Sequence, residues 1–482
     1  VLVLASIVAL GTTLRFATLD LQSYRYDEAV TVGRILHPSL LDTLSAAIRY
    51  ESTPPLYYAV AWFWSRLFGS GEIGLRSLSA LAGSAAIVIV YLGAISLPLP
   101  RRAGLIAAAI VAVNPVLIWF SQDARAYAFA FLLTALSFHF FARARRSATR
   151  RDLAWWAACS ALALATHYFT AFVVAPEAAL LLWGASERRR VGIAIAAVAA
   201  AALLLLPVAL HQRQNAHAAW IAGQPLSQRF GRSAAKLIGE DNGDEHGVRQ
   251  PGPIPLVVPA ALALAALALL LWRGDALERR GAGIAAAIGA AGVALPMLLG
   301  ALGADYLDGR NLIPVFVPLT ILLAAGFAVR RAGWAGLGLA TAFCLCSLVF
   351  TIEIDRLPRL QREDLRNAAA QVGTLRPGEV VVTPRYSASQ PLRYYLDARP
   401  AGAPLAPLRE IALVGSAEAA KQHAATILPP TFHQVEVEPV SYNFTLTRYR
   451  SSTPARVPLK TLEAGALVGG GRRASVLVAE FP

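Results

Sequence analysis

Apolar runs long enough to cross a bilayer recur along this chain, and arginine is gathered in short loops between them. A helix needs about 20 such residues to span the hydrocarbon. Runs of that kind lie at about 1–19, 75–97, 103–120, 126–142, 153–167, 169–185, 191–210, 253–272, 282–302, 312–329 and 333–353. In lipid every backbone polar group must be satisfied within the protein, so these runs predict helices. Mean hydropathy is +0.51. Only 15% of residues are charged, against roughly 25% in soluble domains. The expectation is a polytopic α-helical membrane protein. The first run, 1–19, has the look of a signal peptide, but no small-residue cleavage site precedes Asp20, so a retained first span is expected.

The net charge of +14 would suit a nucleic-acid partner, but its placement argues otherwise. Arg101 and Arg102, Arg143 to Arg151, Arg188 to Arg190, Arg273 to Arg280, and Arg330 and Arg331 supply fifteen arginines in the loops between apolar runs. Four acids in the same loops, Asp152, Glu187, Asp275 and Glu278, leave +11 of the +14 there. Basic short loops mark the cytoplasmic side, so the charge reads as topology and no nucleic acid is expected. The cysteines Cys159, Cys344 and Cys346 all sit in apolar runs, without zinc spacing or a disulfide framework.

Residues 55–68 decide the sidedness. If they crossed, every arginine cluster would lie outside; if they rest in the interface, every cluster lies inside. The run is short and rich in Tyr and Trp, as interfacial helices are. Eleven spans follow, with the amino end inside and the carboxyl end outside. The outer face then receives 20–74, 121–127, His167-Tyr168, the polar loop 211–252, the loop from Asp305 to Asn311, and the tail. Loop 211–252 is long and polar enough to suggest a lid. Two short amphipathic helices are expected at 27–37 and 39–50, with Ser39 capping the second. Asn114-Pro115 predicts a kink. Two domains are expected, 1–353 in the membrane and 354–482 outside it. The tail reads as a small α/β domain, with strands at 380–382, 411–414, 435–440 and 444–449 and helices at 361–372 and 388–397.

The acidic residues on that outer face are the chemical interest. Asp27, Glu28 and Glu51 sit beside hydrocarbon, where a charge is costly unless it is paired or used. Asp27 is either a general base or an ion-pair partner of Arg25 or Arg34. Glu28 suits a cap or a substrate contact better than catalysis. Glu51 is either a solvated helix-end carboxylate or a group that orients Asp27's partner, holds hydroxyls or ligates a cation. Asp123 either pairs Arg125 or contacts substrate. Arg310, at a span's outer end, suits phosphate or snorkelling; Arg76 and Arg125 are weaker candidates of the same kind. His167 and Tyr168 either line a sugar pocket or pack, and Tyr57 and Tyr58 suit interfacial anchors, one of them touching the acceptor.

Several of these pieces, in this order, resemble the GT-C membrane glycosyltransferases, in the branch with protein O-mannosyltransferases and the lipid A aminoarabinose transferase (family 39-like). They are Asp27-Glu28, Glu51-x-x-Pro54-Pro55-Leu56-Tyr57-Tyr58, Phe68-Gly69 before Glu72 and Leu75-Arg76, Ser121-Gln122-Asp123-Ala124-Arg125-x-Tyr127, and Arg310-Asn311-Leu312-Ile313-Pro314. The resemblance covers roughly 1–350 and implies a GT-C fold that takes a sugar from a polyprenyl-phosphate donor with inversion. It implies that Asp27 is the essential first-loop acid, that Glu51 is the second, and that Asp123 is the acid of the second outer loop, where relatives carry Glu. A metal is not forced by a one-phosphate donor; Mg²⁺ or Mn²⁺ on Asp27 and Asp123 stays open. The expected function is transfer of mannose or an arabinose-like sugar to a cell-envelope glycan, glycolipid or protein hydroxyl at the outer face of a bacterial inner membrane. Rival readings are a non-enzymatic lipid or sugar flippase and an envelope polymer ligase.

Overall fold

The computed structural model describes residues 1–482 apart from 185–186, 215–220, 222, 224, 226–228, 230, 232–255, 304–305, 443, 470–472 and 481–482. Loop 211–252, expected as a lid, and Asp305 thus lie mostly or wholly outside the described residues. The chain divides into two compact units. One comprises Val1–Leu19 and His37–Ile354; the other comprises Asp20–Leu36 and Asp355–Pro482. The segment Asp20–Leu36 therefore groups with the tail, and not with the helical unit in which the sequence reading placed all of 1–353.

The helical unit realises each apolar run as helix. Among the described residues, six helices are long and apolar enough to cross a membrane: Glu72–Ser96, Tyr127–Ser147, Arg188–Gln214, Ala276–Ala301, Gly309–Phe327 and Arg330–Arg356. A seventh candidate, 101–121, is a bent pair. Helix α6 (Arg101–Val113) stops at Asn114, and α7 (Pro115–Ser121) departs at 59°. The Asn114 carboxamide caps α7 by accepting from the Leu117 amide at 3.1 Å, and Pro115 takes the first helical position, which needs no donor. The runs at 1–19, 169–185 and 253–272 give shorter apolar helices, Leu2–Phe16, Tyr168–Trp183 and Val257–Arg273. The run at 153–167 lies on Arg150–Thr166, whose first turn carries Arg150, Arg151 and Asp152. Eleven helical segments are present where eleven spans were expected, while length and composition alone support six or seven crossings. Residues 55–68 form a 13-residue helix, Leu56–Phe68, too short to span.

The break at Asn114 leaves α6 carbonyls without helical donors, and helix α1 (Leu2–Phe16) supplies them. Proline at 115 has no N–H for the Val111 carbonyl four residues back. Arg15 Nη2 donates to that oxygen at 2.8 Å, and Arg15 Nη1 donates to the carbonyls of Ala112 at 3.0 Å and Gly11 at 2.9 Å. Its Nε reaches Ser121 Oγ at 3.1 Å. Gly83 permits this closeness, since a Cβ there would collide with Ser121 Oγ. Gln122 extends the seam with bonds to the Leu14 and Arg15 carbonyls and to Thr18 Oγ1.

The second unit is a six-stranded sheet in the order β2-β6-β1-β3-β5-β4, with β1 at Glu379–Pro384, β2 at Ala398–Pro400, β3 at Leu408–Gly415, β4 at Phe432–Pro439, β5 at Thr445–Ala455 and β6 at Ala474–Ala479. Strands β1 and β3 pair in parallel and the other neighbours antiparallel. The unbroken Val380-Val381-Val382 run needs cover on both faces. Val380 and Val382 pack with Ala420 and Ala424 on one face, and Val381 packs with Leu365, Ala368 and Leu392 on the other. Strands β2 and β6 and the helix Ala417–Ile427 were not expected from sequence; β2 has only three residues, too few for a periodic pattern to show.

Candidate functional site

In the helical unit the candidate residues meet around a buried ion pair. Helix α3 (Leu40–Tyr50) starts on Ser39, whose hydroxyl accepts from the Asp42 amide as expected. It stops at Glu51, and Pro54-Pro55 turns the chain into α4 (Leu56–Phe68). Arg125 comes from the turn after α7. Its Nη1 and Nη2 donate to Glu51 Oε1 and Oε2 at 2.6 and 2.7 Å, and both side chains are buried. Two parallel charge-assisted bonds fix both position and orientation. The guanidinium also lies 5.9 Å from the Tyr58 ring centroid, and Tyr58 Oη meets Thr53 Oγ1 at 3.5 Å. Tyr57 is fully buried, edge-on to Tyr58 and Phe129.

Two further residues are drawn to this pair. The His167 imidazole is buried and lies within the electrostatic reach of both Arg125 and Arg310. The Phe169 amide donates to its Nδ1 at 3.3 Å, so the proton of the neutral ring sits on Nε2. Nε2 is buried and has no hydrogen-bond partner among the described residues. Tyr168 donates through Oη to Gln212 Oε1 at 2.8 Å. Gln212 Nε2 in turn bonds the carbonyls of Ala47 and Thr53, which fastens the turn that presents Glu51. Arg310 follows Asp308, whose carboxylate accepts from the Arg310 amide at 3.1 Å and faces its Nε at 3.5 Å; the Arg310 side chain keeps 22% of its surface open.

Two sequence candidates have other surroundings. Asp123 is fully buried in the turn ahead of Arg125, its carbonyl accepting from the Arg125 amide at 2.7 Å. Arg76 is buried and donates to the Leu19 carbonyl at 2.7 Å. The sequence reading passed over Arg15 and Gln212, whose carbonyl partners leave no charge pattern to read.

Asp27 and Glu28 belong to the second unit. Glu28 is fully buried; it accepts from the Arg25 amide at 3.0 Å, closing the first turn of α2 (Tyr26–Val30), and from Arg362 Nη1 at 2.6 Å. Glu28 thus closes the capping box of this helix. Arg362 also gives its amide to Gln22 Oε1, Ser23 brackets Glu363 and Leu365, and the Tyr24 amide donates to Tyr395 Oη at 2.7 Å. On this pinned segment Asp27 keeps 31% of its side chain exposed, with Arg25 Nη2 at 3.4 Å. Among the described residues no group of three or more His, Cys, Asp or Glu is placed to hold a metal ion.

Residues 52–211 match the family model described as dolichyl-phosphate-mannose-protein mannosyltransferase. The match includes Tyr57, Asp123, Arg125, His167 and Tyr168 and excludes Asp27, Glu51 and Arg310. No curated protein matches the sequence. The fold is similar to the crystal structure of ArnT from Cupriavidus metallidurans bound to undecaprenyl phosphate, with TM-score 0.58 and 12% identity, covering 94% of this chain and 99% of that one. The apo state of the same protein matches at TM-score 0.54 and 12% identity over 92% and 97% of the two chains. These likenesses establish the fold.

Proposed function

We propose that this GT-C-fold membrane protein is an inverting glycosyltransferase that moves a mannose- or arabinose-like sugar from a polyprenyl-phosphate carrier to a hydroxyl of a cell-envelope glycan, glycolipid or protein. The observation that carries this reading is the buried Glu51–Arg125 clamp with His167 and Arg310 gathered about it. A site of this kind presents positive charge and one N–H donor at a dry position, which is what a departing phosphate ester needs. The solved relative with this fold holds undecaprenyl phosphate, a lipid of the same chemical class.

In the proposed reaction the acceptor oxygen attacks the anomeric carbon and the bond from that carbon to the carrier phosphate breaks. The acceptor proton passes to Asp27, our candidate base. The polyprenyl phosphate leaves with its added negative charge on oxygen, stabilised by Arg310 and by the His167 Nε2 proton. Glu51 holds Arg125 in a fixed plane and so keeps the cationic wall in place; Tyr57, Tyr58 and Tyr168 are the proposed walls of the sugar pocket. Glu28 positions Asp27 by closing the turn beneath it. The arginine-rich loops support the proposed placement of this chemistry at the outer face of a bacterial inner membrane, by the sidedness rule.

The test offers a panel of radiolabelled polyprenyl-phosphate sugars to the purified full chain, with wild type beside Asp27→Asn. Transfer of one sugar by wild type, reduced about 10²- to 10⁴-fold in the variant, is expected for loss of a general base. Transfer from none of the donors sinks the enzyme reading. Equal transfer by both proteins sinks the role of Asp27.

A further inference from the structure

A second feature of the helical unit lies at the arginine-rich ends of its helices. A cavity of 630 Å³ opens between α1, α6 and α15 (Gly333–Arg356), lined almost wholly by apolar side chains such as Ile7, Ala109, Leu337 and Leu345. Arg102 is the one charged residue in its wall among the described residues. Arg102 Nε is held by the Ala328 carbonyl at 2.9 Å. Its Nη2 is buried and has no hydrogen-bond partner among the described residues. A guanidinium donor in an apolar wall is costly to leave unmet, and an anion is the partner that would meet it.

The dimensions say which anion. The wall follows α6 from Arg102 to Val113, which at 1.5 Å per residue is about 17 Å. That is close to half of the roughly 30 Å hydrocarbon core, the depth of a single leaflet. Arg101, Arg330 and Arg331 flank the same end in sequence, and Trp334, in the wall and largely exposed, has the character of an interfacial anchor. We propose that this trench is a binding site for an acidic glycerophospholipid, one acyl chain lying along α6 and the phosphate seated on Arg102. The surrounding arginines favour a net negative headgroup over a zwitterionic one. This site stands at the opposite helix ends from the Glu51–Arg125 pair, because Arg102 begins the run that ends, through α7, at the turn carrying Arg125. It does not depend on the transferase reading.

The experiment reconstitutes the full chain in bilayer discs of phosphatidylcholine doped with phosphatidylglycerol and identifies the lipid retained on the protein by native mass spectrometry. The expected result is a roughly tenfold preference for phosphatidylglycerol, the size of one charge-assisted hydrogen bond. Arg102→Gln should abolish the preference and Arg102→Lys should keep part of it. Thr341→Trp, at an exposed position in the trench wall, should reduce retention of both lipids while leaving Arg102 in place; it also serves as the test if Arg102→Gln does not fold. Equal retention of the two lipids by wild type, or an unchanged profile in both Arg102→Gln and Thr341→Trp, overturns the proposal. Displacement of phosphatidylglycerol by added undecaprenyl phosphate at equal concentration overturns the choice of occupant.

Discussion

Arg125 meets Glu51 with two parallel bonds of 2.6 and 2.7 Å, across 74 residues of sequence and with both side chains buried. A pair buried in this way repays its desolvation only while both partners are present. Removing one leaves an uncompensated charge, at a cost of about 3–5 kcal/mol. Glu51→Ala and Arg125→Ala are therefore expected to lower thermal stability strongly, and the double variant to recover part of the loss. Arg125→Lys should behave nearly as badly as Arg125→Ala, since one ammonium cannot reproduce the fork. Melting of the purified protein in detergent, run as a double-mutant cycle, checks this. Additive losses would show that the two side chains do not share an energy.

Arg15 and Pro115 make a second testable couple. Arg15 supplies a donor to the Val111 carbonyl because proline at 115 cannot. Arg15→Met strips donors from three carbonyls and from Ser121, and each hydrogen bond to a charged group is worth about 1.5–3 kcal/mol. A severe loss of stability is the expected outcome. Pro115→Ala introduced into Arg15→Met returns an N–H for Val111 and should restore part of it, whereas Pro115→Ala alone should be neutral or harmful. The check is thermal melting of the four proteins. Equal effects of Pro115→Ala in both backgrounds would mean that the arginine is not answering the proline.

Arg15 also shows where sequence reading stops. Apolar length, the Asn-Pro kink and the Ser39 cap are local signals, and the structure has helix, break and cap at those places. The same holds for Val380 to Val382, whose unbroken apolar run implies two covered faces. Partner choice is not local. Glu28 carries a capping pattern within four residues, but its ion-pair partner Arg362 stands 334 residues away, and nothing between them in sequence joins the two. For that reason the grouping of Asp20–Leu36 with the tail was not legible. Arg125 was read beside Asp123 because only Ala124 separates them in sequence; its bonds to Glu51, 74 residues away, leave no such local signal. The number of crossings is a different matter: several apolar helices are shorter than a bilayer is thick, and hydropathy does not separate spanning from partial entry.

In the second unit, acid should weaken the sheet through Glu410. This β3 carboxylate accepts from Arg448 Nη1 at 2.6 Å and from Arg450 Nε at 2.7 Å on β5. Burial works to raise its pKa, but the hydrogen bonds and charges of Arg450 and Arg448 outweigh burial and hold it below the ordinary glutamate range. The unfolded chain then binds more protons than the folded one across that window, so stability rises with pH there. The contribution is complete above the ordinary glutamate pKa and is lost as pH falls through the depressed folded value. Protection factors of β3 and β5 amides in the full chain, corrected for the intrinsic pH dependence of exchange, should fall on acidification below about pH 4.3, and Glu410→Gln should flatten that dependence. An unchanged acid profile in the variant would remove Glu410 as the cause.

His167 should separate stability from activity. Its Nε2 proton is buried without a partner among the described residues, so the folded protein bears a desolvation cost that a bound phosphate oxygen would relieve. His167→Phe removes that cost and keeps a ring beside Tyr127 and Phe169, whose centroids lie 5.7 and 5.9 Å from the imidazole. Replacing an unmet donor by an apolar group of similar shape is neutral or stabilising. The variant also loses the Nδ1 acceptor of the Phe169 amide, a cap worth about 0.5–2 kcal/mol, so the two effects oppose and melting should change little. Sugar transfer, by contrast, loses a hydrogen bond to a charged leaving group, worth about 1.5–3 kcal/mol; kcat/KM should fall about tenfold to hundredfold. Stability and transfer falling together would make His167 a packing residue. Transfer holding steady would show that the imidazole proton never meets the donor phosphate.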